Sequence, residues 1–334
     1  MNEFQKILNE IKSKTFKPIY FLMGDEAFFI DAISDYIQKN VLEEHERDFN
    51  QTVVYGKDTS VSDVVGMAKR FPMMAEHQVV IVKEAQDLSR NIEKLVDYAE
   101  APQHSTILVL CYKYKTLDKR KKLAKVIGKT GLLFESKKLY ENQVPSWIEN
   151  TLTTKGFKIE PKASLMLVEF LGNDLNKINN ELKKLEIILN KGSVISPQVI
   201  EQNIGISKDF NVFELNKALS YKDKLKAFKI CNYFISNPKE KPVIVTIAML
   251  FSFYSKVMQY HGLADKSERN AASKLKLNPF FLKDYIAAAR NYPMKKVSFI
   301  IGKIKEADAK SKGIGASPLS QNDILKELLV QIFI

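Results

Sequence analysis

Cysteine and histidine are scarce in this chain of 334 residues, and their scarcity removes whole classes of chemistry. Cys111 and Cys231 lie far apart, and His45, His77, His104 and His261 are isolated from them and from one another. With no Cys-x-x-Cys pair and no Cys-His cluster, neither a disulfide framework nor a structural metal finds ligands at a usable spacing. Both thiols therefore read as buried and reduced. Long apolar runs are also missing. Met1 to Lys17 mix Glu, Gln and Lys among their apolar positions, so they hold no continuous block of the kind a signal peptide requires. No later stretch reaches the roughly 18 consecutive apolar residues of a membrane span, and the expectation is a cytoplasmic protein without a membrane partner. The sequence lacks a Gly-x-Ser-x-Gly elbow, a His-Glu-x-x-His pair, a GxGxxG after its first strand and any carboxylate cluster with metal-ligand spacing. No catalytic, metal or cofactor residue is assigned, and carboxylates such as Glu181, Glu186 and Glu214 read as solvated helix faces.

What is present is a globular chain, 45% apolar, long enough for two or three domains. Its net charge of +12 is unevenly placed. Lys and Arg stand against Asp and Glu as 22 to 20 over residues 1–140, 8 to 8 over 141–208, and 21 to 11 over 209–334. A basic excess favours polyanionic partners, although here it is diffuse. The first stretch alternates strand and helix. Ile19–Met23, Gln51–Gly56, Gln78–Lys83 and Thr106–Tyr112 read as short strands, with Leu132-Leu133-Phe134 closing the series. Helices are expected over about Glu26–Glu46, from a Ser60–Asp63 cap through Arg70, from the third strand through Leu95, and from about Asp118. This alternation predicts an open, mostly parallel sheet covered on both faces. From Leu139 onward the pattern turns to helices alone. They form a small bundle over 141–208 and then longer helices over 209–334, divided at Asn237-Pro238, Asn278-Pro279, Tyr292-Pro293 and the Gly313–Pro318 loop.

Three segments carry the functional reading. At the first turn a phosphate cradle would need a glycine-rich loop, a Lys and a Ser/Thr. Gly24-Asp25-Glu26 is shorter, lacks Gly-Lys-Ser/Thr, and sets two carboxylates where phosphate would sit, so it reads as a degenerate phosphate turn whose acids cap the next helix. Farther on, Arg70-Phe71-Pro72-Met73-Met74 breaks a helix and packs three large apolar residues just before a strand. Phe71, Met73 and Met74 either cover the sheet end of this chain or dock into a partner's pocket, a role that suits adaptable Met and broad Phe. The third segment is Lys113–Lys129, with eight basic residues and one acid. Of these Lys113, Lys115, Lys119, Arg120, Lys121 and Lys122 are candidate DNA contacts, or else a solvated helix face. In the last third, the stripe of Ile244, Ile247, Leu250, Phe251 and Tyr254 points to packing and subunit contacts.

Taken in order, Ile19 to Phe28, Phe71-Pro72-Met73-Met74 before Val79–Val82, Asp118 to Leu123, Asn173-Asp174-Leu175, Asn180 to Leu185, and Asn211 to Leu215 resemble the delta subunit family of the DNA polymerase III clamp loader. The resemblance covers nearly the whole chain. It implies a RecA-like AAA+ module without a working nucleotide site (1–140), a helical lid (141–208) and a helical collar for loader oligomerisation (209–334). It further implies that Phe71, Met73 and Met74 touch the sliding clamp, although the family usually carries a Leu-Phe pair there. The implied partners are the sliding clamp (beta), the gamma/tau and delta-prime loader subunits and primer-template DNA, with no cofactor and no catalysis of its own inside the polymerase holoenzyme. A stand-alone nucleic-acid-binding protein would need a concentrated basic stripe with stacking aromatics, and an active AAA+ ATPase would need a nucleotide turn. A delta-prime subunit commonly has zinc-module cysteines and a Ser-Arg-Cys finger; this chain has neither.

Overall fold

The computed structural model describes residues 3–207, 209–239, 241–314 and 319–334. Lys208 and residues 315–318 of the expected Gly313–Pro318 loop lie outside them. Two compact units divide the chain, Met1–Leu139 and Tyr140–Ile334.

The first unit contains α1 (Glu3–Lys12), β1 (Ile19–Gly24), α2 (Ala27–Asn40), α3 (Glu44–Asn50), β2 (Gln51–Tyr55), α4 (Val61–Ala68), β3 (Gln78–Lys83), α5 (Val96–Glu100), β4 (Thr106–Lys113), α6 (Lys122–Thr130) and β5 (Leu132–Ser136). The sheet order is β2-β3-β4-β1-β5, and every pairing is parallel. It is the open, parallel α/β sheet that the alternation of strands and helices predicts. β1 and β4 are central, so both faces of each need cover, and Ile19–Met23 and Thr106–Tyr112 are continuously buried. One face buries Phe21, Met23, Val80, Leu108 and Leu110 under Val64, Tyr98 and Leu123. On the other side α2 packs on β1, β3 and β4 and buries Phe29, Ile30, Ile33 and Ile37.

Several helix boundaries depart from the sequence expectation. The run Glu26–Glu46 is two helices, because Glu43 opens α3 with a reciprocal capping box to Glu46. The Ser60–Asp63 cap is present, but α4 stops at Ala68, short of Arg70. After β3 the chain takes two 3-10 turns, Ala85–Leu88 and Ile92–Leu95, where one helix was expected. The helix expected from Asp118 begins only at Lys122, since Asp118 folds back onto Arg120 through the backbone N–H at 3.0 Å and the guanidinium.

The second unit is helical, and a two-stranded parallel pair interrupts the all-helix expectation. Its first part holds α7 (Val144–Thr153), β6 (Lys158–Ile159), α8 (Pro161–Leu171), α9 (Leu175–Ile188), β7 (Val194–Ile195) and α10 (Pro197–Ile204), with β6 paired to β7. Then follow α11 (Val212–Ser220), α12 (Lys224–Ser236), α13 (Val243–His261), α14 (Glu268–Lys274), α15 (Pro279–Asn291), α16 (Met294–Ser311) and α17 (Gln321–Phe333). α13 is long and apolar enough to cross a membrane by length and composition. Its Ile247, Leu250, Phe253, Tyr254 and Val257 are buried in one apolar core with Val297, Ile300, Leu325 and Leu329. Of the expected α13 stripe, Ile244 and Phe251 are exposed.

Glu214 corrects the solvated-face reading, because its side chain is buried between Lys162 at 2.6 Å and Lys226. Burial pushes its carboxyl up, but the two ammonium groups outweigh that and hold it below the usual glutamate range. Glu169, whose side chain is largely covered, accepts from the Val212 N–H at 2.8 Å and from Lys241 at 3.2 Å. Glu214 thus ties α11 to α8 and α12, and Glu169 ties α8 to the start of α11 and to Lys241 ahead of α13.

Candidate functional site

The Phe71–Met74 segment lies in the loop between α4 and β3, and its geometry starts from how α4 is stopped. A helix leaves its last carbonyls without internal partners. Here the Thr106 and Tyr98 hydroxyls donate to the Ala68 carbonyl at 2.8 and 3.3 Å. The Gln78 side-chain amide donates to the Arg70 carbonyl and lies 3.2 Å from that of Met67. Pro72 then keeps Phe71 from the helical region. Beyond it the loop is gripped from α3: the Met73 N–H donates to Asn50 Oδ1 at 2.6 Å, and Asn50 Nδ2 donates to the Met73 carbonyl at 2.9 Å. Met74 takes a left-handed φ of 53°. The loop closes at His77, whose ring meets Phe16 edge-on at 5.4 Å.

The outcome is a fixed backbone carrying free side chains. Phe71, Met73 and Met74 retain 76%, 62% and 102% relative exposure, which excludes the reading in which they cover the sheet end. Asn50 and Gln78, beneath them, are buried. Sequence reasoning missed Asn50, Gln78 and Thr106, because polar residues at the borders of strands carry no local signature of partners 8 to 38 positions away. The usable signal was that a polar residue bordering a buried strand must find a hydrogen bond.

At the first turn, Gly24 has φ of 119°, and a Cβ there would stand 2.1 Å from the Ser136 carbonyl oxygen. That carbonyl accepts from the Asp25 N–H at 2.9 Å and from the Glu26 N–H at 3.5 Å, while the Ser136 hydroxyl donates back to the Glu26 carbonyl at 2.6 Å. The amides that would face a phosphate are turned onto β5. Glu26 is buried and accepts from the Phe28 N–H at 3.3 Å as the α2 cap, whereas Asp25 is exposed and makes no such cap.

The basic segment does not form one helix face. Lys113 ends β4 and is mostly buried between Asp31 at 2.9 Å and Glu84 at 2.8 Å. Burial alone would lower its pKa, but the two carboxylates drive it well above the usual lysine value. Lys115 reaches Ser89 at 3.1 Å. Lys119, Arg120, Lys121 and Lys122 are exposed and pair with Glu135, Asp118, Glu93 and Glu100. Lys113 is therefore a structural cation, and the four exposed pairs are weakly held.

No group of three or more metal-type ligands occurs among the described residues. Cys111 and Cys231 are free and buried, and burial pushes both thiols up to about 11.

The comparisons with known proteins agree along the length of the chain. The family model for "DNA polymerase III, delta subunit" matches residues 20–137, and that for "DNA polymerase III delta subunit, C-terminal domain" matches residues 209–333. The DNA polymerase III subunit delta of Bacillus subtilis (strain 168) is 24% identical over 339 residues, covering 98% of this chain and 95% of that protein. The solved Bacillus subtilis DNA clamp loader delta protein (YqeN) superposes with a TM-score of 0.55 at 22% identity, over 99% of each chain. Two family models that together span most of the sequence place this chain in the DNA polymerase III delta subunit family, a component of the clamp loader in DNA replication.

Proposed function

We propose that this chain binds the sliding clamp through Phe71, Met73 and Met74 and opens the ring for loading onto primed DNA. The observation that carries this reading is the exposure of three large apolar side chains on a backbone braced from below. Such anchors fit a pocket and supply most of an interface's energy. Ring opening then needs no hydrolysis in this chain. If the pocket accepts the anchors better when the adjacent clamp interface is sprung, binding shifts the ring toward the open state, by no more than the difference in affinity. The turn at Gly24-Asp25-Glu26 supports a passive role, since its amides are spent on Ser136. The loader's nucleotide would act in neighbouring subunits, gamma/tau and delta-prime, joined through the collar over 209–334, where Ile244, Val245 and Phe251 leave an apolar stretch of α13 exposed. Primer-template DNA would meet Lys119, Arg120, Lys121 and Lys122, which exchange weak surface pairs for phosphate at small cost.

The test is clamp release from nicked circular DNA by this chain alone, without nucleotide. Release by the wild type and none by a variant with Phe71, Met73 and Met74 all changed to Ser supports the proposal. Release that requires ATP hydrolysis by this chain, or that survives the triple substitution, removes it.

A further inference from the structure

From the hydrogen bonds beneath the loop we infer that Asn50 is a positioning residue, one that holds the Phe71–Met74 tip in its binding shape before any partner arrives. The inference rests on the clamp-binding reading above. Asn50 is buried at the end of α3 and spends its whole side-chain amide on backbone: Oδ1 on the Met73 N–H at 2.6 Å, and Nδ2 on the carbonyls of Met73 at 2.9 Å and of its own helix at Glu46 at 3.0 Å. A single side chain thus fixes both polar groups of the central tip residue, as an adjacent strand would. The residue that follows, Met74, sits at a left-handed φ of 53°, which a residue with a side chain adopts only where its surroundings impose it. Gln78 grips the other end of the loop at Arg70. A tip braced at Arg70, Met73 and His77 keeps three apolar side chains in water without collapsing onto the sheet, and it meets its partner with little backbone order left to lose. Rigidity of this kind raises affinity by lowering the ordering cost of association.

Asn50 itself lies under the loop and is not offered as a contact, so its contribution is separable from that of the anchors. The experiment compares the full wild-type chain, Asn50→Ala and the double variant M73A/M74A in three measurements: titration with purified sliding clamp, thermal melting, and amide hydrogen exchange of the free chain. The wild-type Met73 amide is expected to be protected before clamp is added. Asn50→Ala is expected to lose that protection and weaken clamp binding roughly ten-fold, with all three anchors still present. M73A/M74A is expected to lose affinity while residue 73 stays protected. Clamp affinity unchanged in Asn50→Ala but reduced in M73A/M74A overturns the positioning role and leaves the clamp reading standing; affinity unchanged in both overturns the clamp reading itself. Should Asn50→Ala fail to melt cooperatively, the wild-type exchange decides alone, since an unprotected Met73 amide in the free chain rules out a preformed tip.

Discussion

Replacing Met73 and Met74 together with Ala is the sharpest perturbation of the proposed contact, because both side chains are already in water and their loss leaves the fold intact. Full burial of a Met side chain is worth about 1.5–3 kcal/mol. Met73 has 62% of its surface left to bury and Met74 all of it, so the pair offers about 2.5–5 kcal/mol to a pocket that encloses both. Allowing for the methyl group that alanine retains, the expected loss is about 2–4 kcal/mol. That corresponds to a Kd raised roughly 30-fold to 1,000-fold. Calorimetric titration of purified clamp with wild-type and variant chains reads this directly. The thermal melt supplies the control, since substitution of exposed residues is expected to change stability by no more than about 0.5 kcal/mol. An unchanged Kd with an unchanged melt refutes the reasoning, for it would mean that the exposed sulfurs and methylenes stay in water in the complex.

Three further outcomes follow from the interior. Glu214→Gln should destabilise the C-terminal unit by about 1–2 kcal/mol, less than a fully buried pair would cost because Lys162 and Lys226 remain partly solvated; chemical denaturation measures it. Because the Glu214 carboxyl is held below its ordinary value, its contribution is complete at neutral pH down to the usual glutamate range. It should be lost as pH falls below that range, and the acid limb of the stability curve should flatten in the variant. Gly24→Ala should cost about 3 kcal/mol in thermal unfolding, as both the positive φ and the approach to the Ser136 carbonyl forbid a Cβ. With thiols pushed up to about 11, Cys111 and Cys231 should resist a thiol reagent at pH 8 in the native chain and react only after denaturant is added.

By itself the sequence determined the strand and helix alternation of the first unit, the turn to a helical second unit, the breakdown of the phosphate motif at Gly24-Asp25-Glu26 and the unusual apolar cluster at Phe71–Met74. These are local properties: a buried parallel strand such as Ile19–Met23 is a continuous apolar run, and a proline such as Pro72 cannot sit in the interior of a helix without breaking it. The order of the strands, the pairing of β6 with β7 and the burial of Glu214 were decided only in three dimensions, because each depends on partners that no fixed spacing announces. The same holds for the basic segment, where six cations that looked alike in sequence became one structural lysine, one hydroxyl-bound lysine and four loosely paired surface charges. Whether Phe71, Met73 and Met74 faced inward or outward was likewise undecidable from their own chemistry, since large apolar residues suit either place. Asn50 and Gln78 settled it from outside the segment by satisfying the loop's backbone from below, which holds the side chains in water.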